Sequence, residues 1–196
     1  MFKLNYRIND EFVVNDVTYT ANASFDNILR LLEMFKEETV SNNKKVSLGI
    51  KILFGKDTNL INLSVKEQIE LLNSASERYI EQESKFVERD ILGNPMPVKQ
   101  KAQVYSLEKD AEYIFSSFLQ AYKLNLFEQH GKLHWYEFQA LLGGLPDDTK
   151  FRQVIDIRQW EPTKGTSAET REKMRELQRI YSLDGQVQDD TMMGGD

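Results

Sequence analysis

The stretch LHWYEFQALLGGLPDDT, residues 133–149, carries the signals of one helix, its end and the start of a second helix. Its apolar side chains recur at helical spacing and form one stripe: Trp135, Phe138, Leu142 and Leu145. We expect the glycine pair 143–144 to end this helix, since glycine takes the left-handed conformation of many helix ends, and Pro146 prevents continuation. Asp147 or Asp148 then caps the next helix. The stretch therefore predicts two consecutive packed helices.

The only two histidines of the chain, His130 and His134, lie four positions apart in and beside this stretch. That spacing can place two imidazoles on one helical face as metal ligands, but Gly131 lies between them and no third ligand is indicated. We interpret both as surface or helix-start histidines. Asp147 and Asp148 could act as an acid–base pair, but capping explains them better. The sequence thus predicts no catalytic, cofactor-binding or metal-binding residues.

The composition is that of a globular protein with a packed core. The chain has 196 residues, of which 40% are hydrophobic, enough for one domain or two small ones. No run reaches the roughly 18 apolar residues of a membrane span, and the N-terminus lacks a signal-peptide pattern. The absence of cysteine excludes disulfides and thiolate metal sites. Because the net charge is −6, we expect no nucleic-acid binding, and no membrane partner either.

The N-terminal segment alternates between apolar and polar residues, as strands do. Four apolar residues could share one strand face: Phe2, Leu4, Tyr6 and Ile8. Two further short segments, 12–14 and 17–19, flank Asn15-Asp16, a pair that tolerates turn conformations. We predict two or three short antiparallel strands here.

Helical periodicity replaces this alternation after Ser24, which can cap a helix. The predicted helix has one apolar face: Phe25, Ile28, Leu29, Leu32 and Phe35. Residues 46–54 fit a strand or a helix, and we favour a helix because Ser41, Asn42 and Asn43 offer caps and Gly55 a stop. Ser64 and Glu67 form a capping-box pattern for a long helix that reaches about Glu83.

The second half contains further helices after a break. Pro95 and Pro97 make residues 91–104 a linker or long loop. Ser106 is a candidate cap for a helix with one apolar side: Leu107, Ala111, Ile114, Phe115, Phe118 and Tyr122. Thr166 and Glu169 form a second capping-box pattern, followed by a stripe: Met174, Leu177 and Tyr181. Basic and acidic residues interleave on this last helix, which indicates a solvated, ion-paired face.

These elements predict a mainly α (α+β) fold, with a short N-terminal antiparallel β-hairpin or sheet packed on helices and an α-helical C-terminal bundle. The predicted parts are residues 1–90, a linker at 91–104, a helical unit at 105–183 and a disordered acidic tail at 184–196. The pattern leaves open whether the two halves share one core.

Aromatic residues crowd the second half, and a helical unit of this size cannot bury them all. Exposed tyrosine and tryptophan favour partner binding. Tyr136 lies off the main stripe of its helix, and Trp160 follows the end of its helix. With Trp135 and Tyr113, they are the predicted partner-binding residues.

Four segments carry a resemblance to a known family. They are residues 135–158, 105–122 (YSLEKDAEYIFSSFLQAY), 173–183 (KMRELQRIYSL) and 23–37 (ASFDNILRLLEMFKE). Together they resemble the bacteriophage gene-product-fifteen family of tailed phages and prophages. The resemblance runs to about Leu183, and its most specific part is the helix, Gly-Leu-Pro-Asp-Asp-Thr, helix sequence.

The resemblance implies a role in tail morphogenesis, as a non-catalytic tail assembly chaperone. Its implied partner is the tape-measure protein, with the major tail tube protein and self-association as further expectations. It would act in the host bacterial cytoplasm and be absent from the mature virion. The alternatives are a structural tail-completion or connector component of the virion, a small regulatory nucleic-acid-binding protein and a small metal-dependent hydrolase.

Overall fold

The computed structural model describes residues 4–5, 7–55, 57–80 and 104–183. Within them lie two strands, β1 (Glu11–Val14) and β2 (Val17–Thr20), and seven α-helices. The helices are α1 (Phe25–Lys36), α2 (Asn42–Phe54), α3 (Val65–Tyr79), α4 (Ala111–Tyr122), α5 (Trp135–Gly143), α6 (Lys150–Gln159) and α7 (Ala168–Ile180). Two 3₁₀ segments lie at Thr58–Asn62 and Leu126–Gln129. The predicted mainly helical fold with an N-terminal hairpin is confirmed.

The chain forms two compact units that alternate along the sequence. The first comprises the described parts of residues 1–98 together with 127–141, and the second those of 99–126 and 142–196. Residues 127–141, which the sequence-based division placed in the second half, therefore cluster with the first. Residues 91–103 of the predicted linker and the predicted acidic tail lie outside the described residues.

The hairpin turns at Asn15 and Asp16, as predicted. Both residues have left-handed backbone angles, with φ of 50° and 58°, which is the pattern of a two-residue type I′ turn. The strands pair from Val14–Val17 beside the turn to Glu11–Thr20 at the far end. The side chains of the pair Phe12–Tyr19 face the core and are buried. The predicted strand over Phe2–Ile8 is not formed by the residues of that segment that the structure describes.

The helices of the first unit follow the sequence signals closely. Both halves of the Ser64–Glu67 capping box are present, and α2 is a helix as favoured. Ser24 occupies the N-cap position of α1, but its side chain makes no capping hydrogen bond. In α1 the fully buried pair is Ile28 and Leu31. The predicted extension of α3 to Glu83 falls outside the described residues.

Three predicted caps in the second unit are wrong by a few positions. The helix after Ser106 begins only at Ala111, because Ser106 caps a preceding turn by accepting the Lys109 N–H at 3.2 Å. Helix α6 starts after Thr149 and not after either aspartate, since the N–H and hydroxyl of Thr149 both bond the Pro146 carbonyl. Helix α7 starts after Ser167, one residue beyond the predicted cap.

The expected left-handed glycine at the end of α5 is also wrong. Among the described glycines, only Gly131 and Gly165 have positive φ. Helix α5 ends at Gly143 by a tightened turn, in which the Leu145 N–H donates to the Leu142 carbonyl at 3.5 Å. The predicted stripe of this helix is correct in burial: Trp135, Phe138, Leu142 and Leu145 are each less than a tenth exposed.

Candidate functional site

A polar cluster centred on Asp10 joins three distant segments of the first unit. One carboxylate oxygen of Asp10 accepts a hydrogen bond from the Tyr79 hydroxyl at 2.8 Å and lies 3.1 Å from His134 Nε2. Asp10 precedes β1, Tyr79 ends α3 and His134 precedes α5. The side chains of Asp10 and His134 are 20% and 13% exposed, so this contact is largely shielded from water.

The hydrogen bonds of His134 define its tautomer. Its Nδ1 accepts the backbone N–H of Tyr136 at 3.0 Å, so the proton of the neutral ring lies on Nε2 and is donated to Asp10. Its backbone N–H donates to Glu137 at 3.1 Å. His134 is therefore a helix-start residue, as interpreted from the sequence. Both of its ring nitrogens have partners, so the side chain also serves the fold.

The cluster changes the acidity of two of its members. Burial alone raises the pKa of Asp10, but hydrogen bonds from His134 and Tyr79, with the charge of Arg78, hold that pKa below its ordinary value. Burial and the adjacent Asp10 raise the pKa of Tyr79 far above its ordinary value. Asp10 is thus an ionised acceptor at neutral pH and Tyr79 a permanent donor.

Two of the predicted partner-binding residues donate hydrogen bonds to the end of α3. The indole N–H of Trp135 donates to the Tyr79 carbonyl at 2.8 Å, and the hydroxyl of Tyr136 donates to the Arg78 carbonyl at 2.6 Å. Carbonyls at a helix end lack intrahelical partners, so these aromatic donors satisfy them. Trp135 is 4% exposed and belongs to the core, as its place on the stripe of α5 predicts and contrary to its prediction as a partner-binding residue. Tyr136 is half-buried.

A buried ion pair organises the second unit. Two nitrogens of Arg158 on α6 bond the two carboxylate oxygens of Asp110, at the start of α4, each at 2.7 Å. Asp110 also accepts the Ser106 N–H at 2.9 Å. Arg158 further donates to the carbonyls of Tyr181 at 2.6 Å and Val104 at 3.0 Å. The pair therefore ties three segments to α6, and its hydrogen-bonding capacity is used within the fold.

The other two predicted partner-binding residues lie in the second unit and are both half-buried. Trp160 follows α6, and its carbonyl accepts a hydrogen bond from Gln178 at 2.8 Å. The ring of Tyr113 packs edge-on against Tyr181, with centroids 6.1 Å apart. Neither is an exposed aromatic anchor.

Exposed apolar side chains lie at residues other than the predicted partner-binding ones. Phe127 in the first unit is 69% exposed, and its ring lies 5.8 Å from that of His130. On α4, Leu119 is 44% exposed, while Phe115 and Tyr122 are half-buried. These three residues of α4 have the spacing i, i+4, i+7 and form one side of the helix. Periodicity alone could not separate this side from the neighbouring buried side, since both are apolar.

No group of three or more metal-binding side chains is assembled within the described part of the chain. No helix there is long and apolar enough to cross a membrane.

No curated protein and no solved structure matches the chain. The family model described as Bacteriophage Gp15 protein matches residues 8–183, which include every element described above. The chain therefore belongs to the bacteriophage Gp15 protein family.

Proposed function

We propose that this phage protein is a tail assembly chaperone that binds the tape-measure protein during tail morphogenesis. It would act in the host cytoplasm, recruit tail tube subunits and leave before the virion is complete. Membership of the phage family supports the phage context. The tail-assembly role rests on the sequence resemblance.

We propose further that the protein acts without a catalytic step. The polar groups most suited to chemistry are engaged within the fold: both ring nitrogens of His134 have partners, and Asp110 and Arg158 bond each other and neighbouring backbone groups. A general base or nucleophile needs a free position for the reacting atom. The structural use of these groups supports a binding role.

The observation that carries the binding proposal is the partly open side of α4, formed by Phe115, Leu119 and Tyr122. Apolar residues at i, i+4 and i+7 suit packing against a helical client, which presents matching anchors at the same spacing. The tape-measure protein is expected to be long and largely helical. Many copies of the chaperone would cover it through individually weak contacts that add through multivalency.

The test is co-expression with the tape-measure protein of the same gene cluster, with soluble tape measure as the readout. The proposal predicts that Leu119→Lys abolishes the gain in soluble tape measure, because a charge is then placed on the binding side. Gln120→Lys is the matched control, since it adds the same charge to an exposed neighbouring position on α4.

Soluble tape measure that depends on Leu119 and not on Gln120 supports the proposal. Tape measure that stays insoluble with the unaltered chain contradicts it. Recovery of the chain from purified virions in fixed stoichiometry would instead favour the structural-component alternative.

A further inference from the structure

The two edges of the β1–β2 ribbon differ in how their backbone groups are used. Ala21 donates its N–H to the Asp10 carbonyl at 2.9 Å, so this pair is hydrogen-bonded. In an antiparallel ladder, hydrogen-bonded and non-hydrogen-bonded residue pairs alternate. Counting from this pair, Glu11–Thr20 and Val13–Thr18 are therefore non-hydrogen-bonded pairs. The N–H and C=O groups of these residues therefore point outward, those of β1 to one edge and those of β2 to the other.

The edge of β1 is occupied by side chains at Glu11. One guanidinium nitrogen of Arg78 donates to the carbonyls of Asn9 at 3.1 Å and Glu11 at 3.0 Å. The side chain of Asn9 accepts the Glu11 N–H at 2.7 Å. The same guanidinium lies 3.8 Å above the ring of Phe12, which fixes it against the ribbon. A further strand cannot add on this side without displacing Arg78.

The edge of β2 is open within the described residues. The outward backbone groups of Thr18 and Thr20 have no hydrogen-bond partner there, and both residues are exposed. The strand reads Val-Thr-Tyr-Thr, four residues of high strand propensity with no charge and no proline. Natural proteins usually protect an edge with charge, proline, a bulge or a cover. Among the described residues, β1 has a cover at Glu11 and β2 has none.

We propose that the edge of β2 binds an extended, basic, strand-forming segment of another protein by β-augmentation. The added strand would pair with the outward groups of Thr18 and Thr20. On one face its side chains would meet Val17, which is 37% exposed. This inference is independent of the tape-measure proposal, whose client binds as a helix.

The charge around the hairpin selects a basic occupant. The side-chain amide of Asn15 at the turn donates to the Glu67 carboxylate, which places that negative group beside the hairpin. Asp16 adds a further carboxylate at the turn. A lysine or arginine in the added strand would be attracted to this surface.

A second copy of the chain fits this edge less well. Its net charge is −6, so two acidic hairpins would be brought together. A stable dimer buries roughly 1,200 Å² or more, which a strand of four residues cannot supply alone. The edge suits a weak, reversible contact with a partner segment.

The experiment uses the full chain and a short peptide of alternating threonine and valine with a lysine at each end. Fluorescence anisotropy of the labelled peptide gives the affinity. Amide hydrogen exchange shows whether the outward amides of β2 become protected. The inference predicts slower exchange at Thr18 and Thr20 on peptide binding. An otherwise identical peptide with glutamate at each end should bind at least about tenfold more weakly.

Thr18→Pro and Val13→Pro form a matched pair of variants. They are cross-strand partners in one non-bonded pair, so each proline removes an outward N–H and neither removes a ladder bond. Thr18→Pro should weaken peptide binding by about tenfold or more, whereas Val13→Pro should retain it. If either proline variant does not fold, Thr18→Lys and Val13→Lys give a second comparison, because a lysine on the binding strand repels the basic peptide more than one on the far strand.

Three outcomes would overturn the inference. The first is unchanged exchange at Thr18 and Thr20 at saturating peptide. The second is equal loss of binding from the two members of a variant pair. The third is concentration-dependent protection of both amides in the chain alone, which would assign the edge to a second copy.

Discussion

Asp10 and His134 lie 124 positions apart in the sequence and meet through a hydrogen bond of 3.1 Å. The contact holds the start of α5 to the residue before β1, and through Tyr79 it includes the end of α3. A hairpin, a helix end and a helix start therefore depend on one carboxylate. This dependence makes the first unit sensitive to changes at His134.

His134→Ala should lower the free energy of unfolding by about 1–3 kcal/mol, because it removes one of the two donors to the partly buried Asp10 carboxylate and also the acceptor of the Tyr136 N–H. Urea denaturation monitored by circular dichroism measures the change. His130→Ala is the control, since His130 is exposed and should cost much less. Equal losses of unfolding free energy in the two variants would show that the Asp10 cluster does not stabilise the fold.

The free energy of unfolding should also fall at low pH, because Asp10 becomes protonated. The pKa of this carboxyl is lower in the folded chain than its ordinary value of 3.8. Its contribution is therefore fully present above about pH 4 and disappears as the pH falls through the folded-state pKa. Asp10→Asn should flatten the unfolding free energy against pH below pH 4. The same acid slope in the variant and the parent chain would contradict the assignment.

Tyr136→Phe tests whether this tyrosine serves the fold. Loss of its hydroxyl leaves the Arg78 carbonyl without its donor and should cost about 0.5–1.5 kcal/mol. Tyr113→Phe is a matched control, because the Tyr113 hydroxyl has no hydrogen-bond partner among the described residues, and its stability should be nearly unchanged. Thermal unfolding of both variants measures the two changes in stability. If Tyr136→Phe leaves stability unchanged, the hydroxyl does not serve the fold and Tyr136 is better explained as a partner-binding residue.

The ion pair of the second unit predicts a larger effect. Asp110→Asn leaves the buried guanidinium of Arg158 uncompensated and should cost about 3–5 kcal/mol. Arg179→Gln breaks an exposed ion pair with Glu176 and should leave stability nearly unchanged. A chemical denaturation series of the two variants makes the comparison. A small effect of Asp110→Asn would mean that water reaches this pair.

Local signals predicted most of the fold. The Asn15-Asp16 turn, the Ser64–Glu67 capping box and the stripe of α5 each depend on residues within one or two turns of each other, and all are present. Their physics is contained in short segments, so the sequence suffices.

The errors arise where competing bonds decide the local structure. Thr149 displaced the aspartates as the cap of α6 because the Pro146 carbonyl accepts both its N–H and its hydroxyl. Gly143 did not become left-handed, because a tightened last turn closes α5 instead. Single-residue preferences do not reveal such alternatives.

Long-range relationships escaped the sequence altogether. Residues 127–141 cluster with the first unit through partners far back in the chain: the Trp135 N–H bonds the Ala23 carbonyl, and the Gly131 N–H bonds Asp26. The candidate site depends most on such contacts, so the sequence predicted least of it. The burial of Trp135 followed from its place on the stripe of α5, but the partner of its indole N–H, a carbonyl 56 positions away, could not be read from the sequence.

The most direct test of the central claim is the mass of the complex formed when the tagged chain is co-expressed with the tape-measure protein of its own gene cluster. Native mass spectrometry of the tag eluate gives the ratio of the two proteins. The account predicts many copies of this chain on one tape-measure molecule, as a coating chaperone requires. An eluate that contains this chain without tape measure would contradict it.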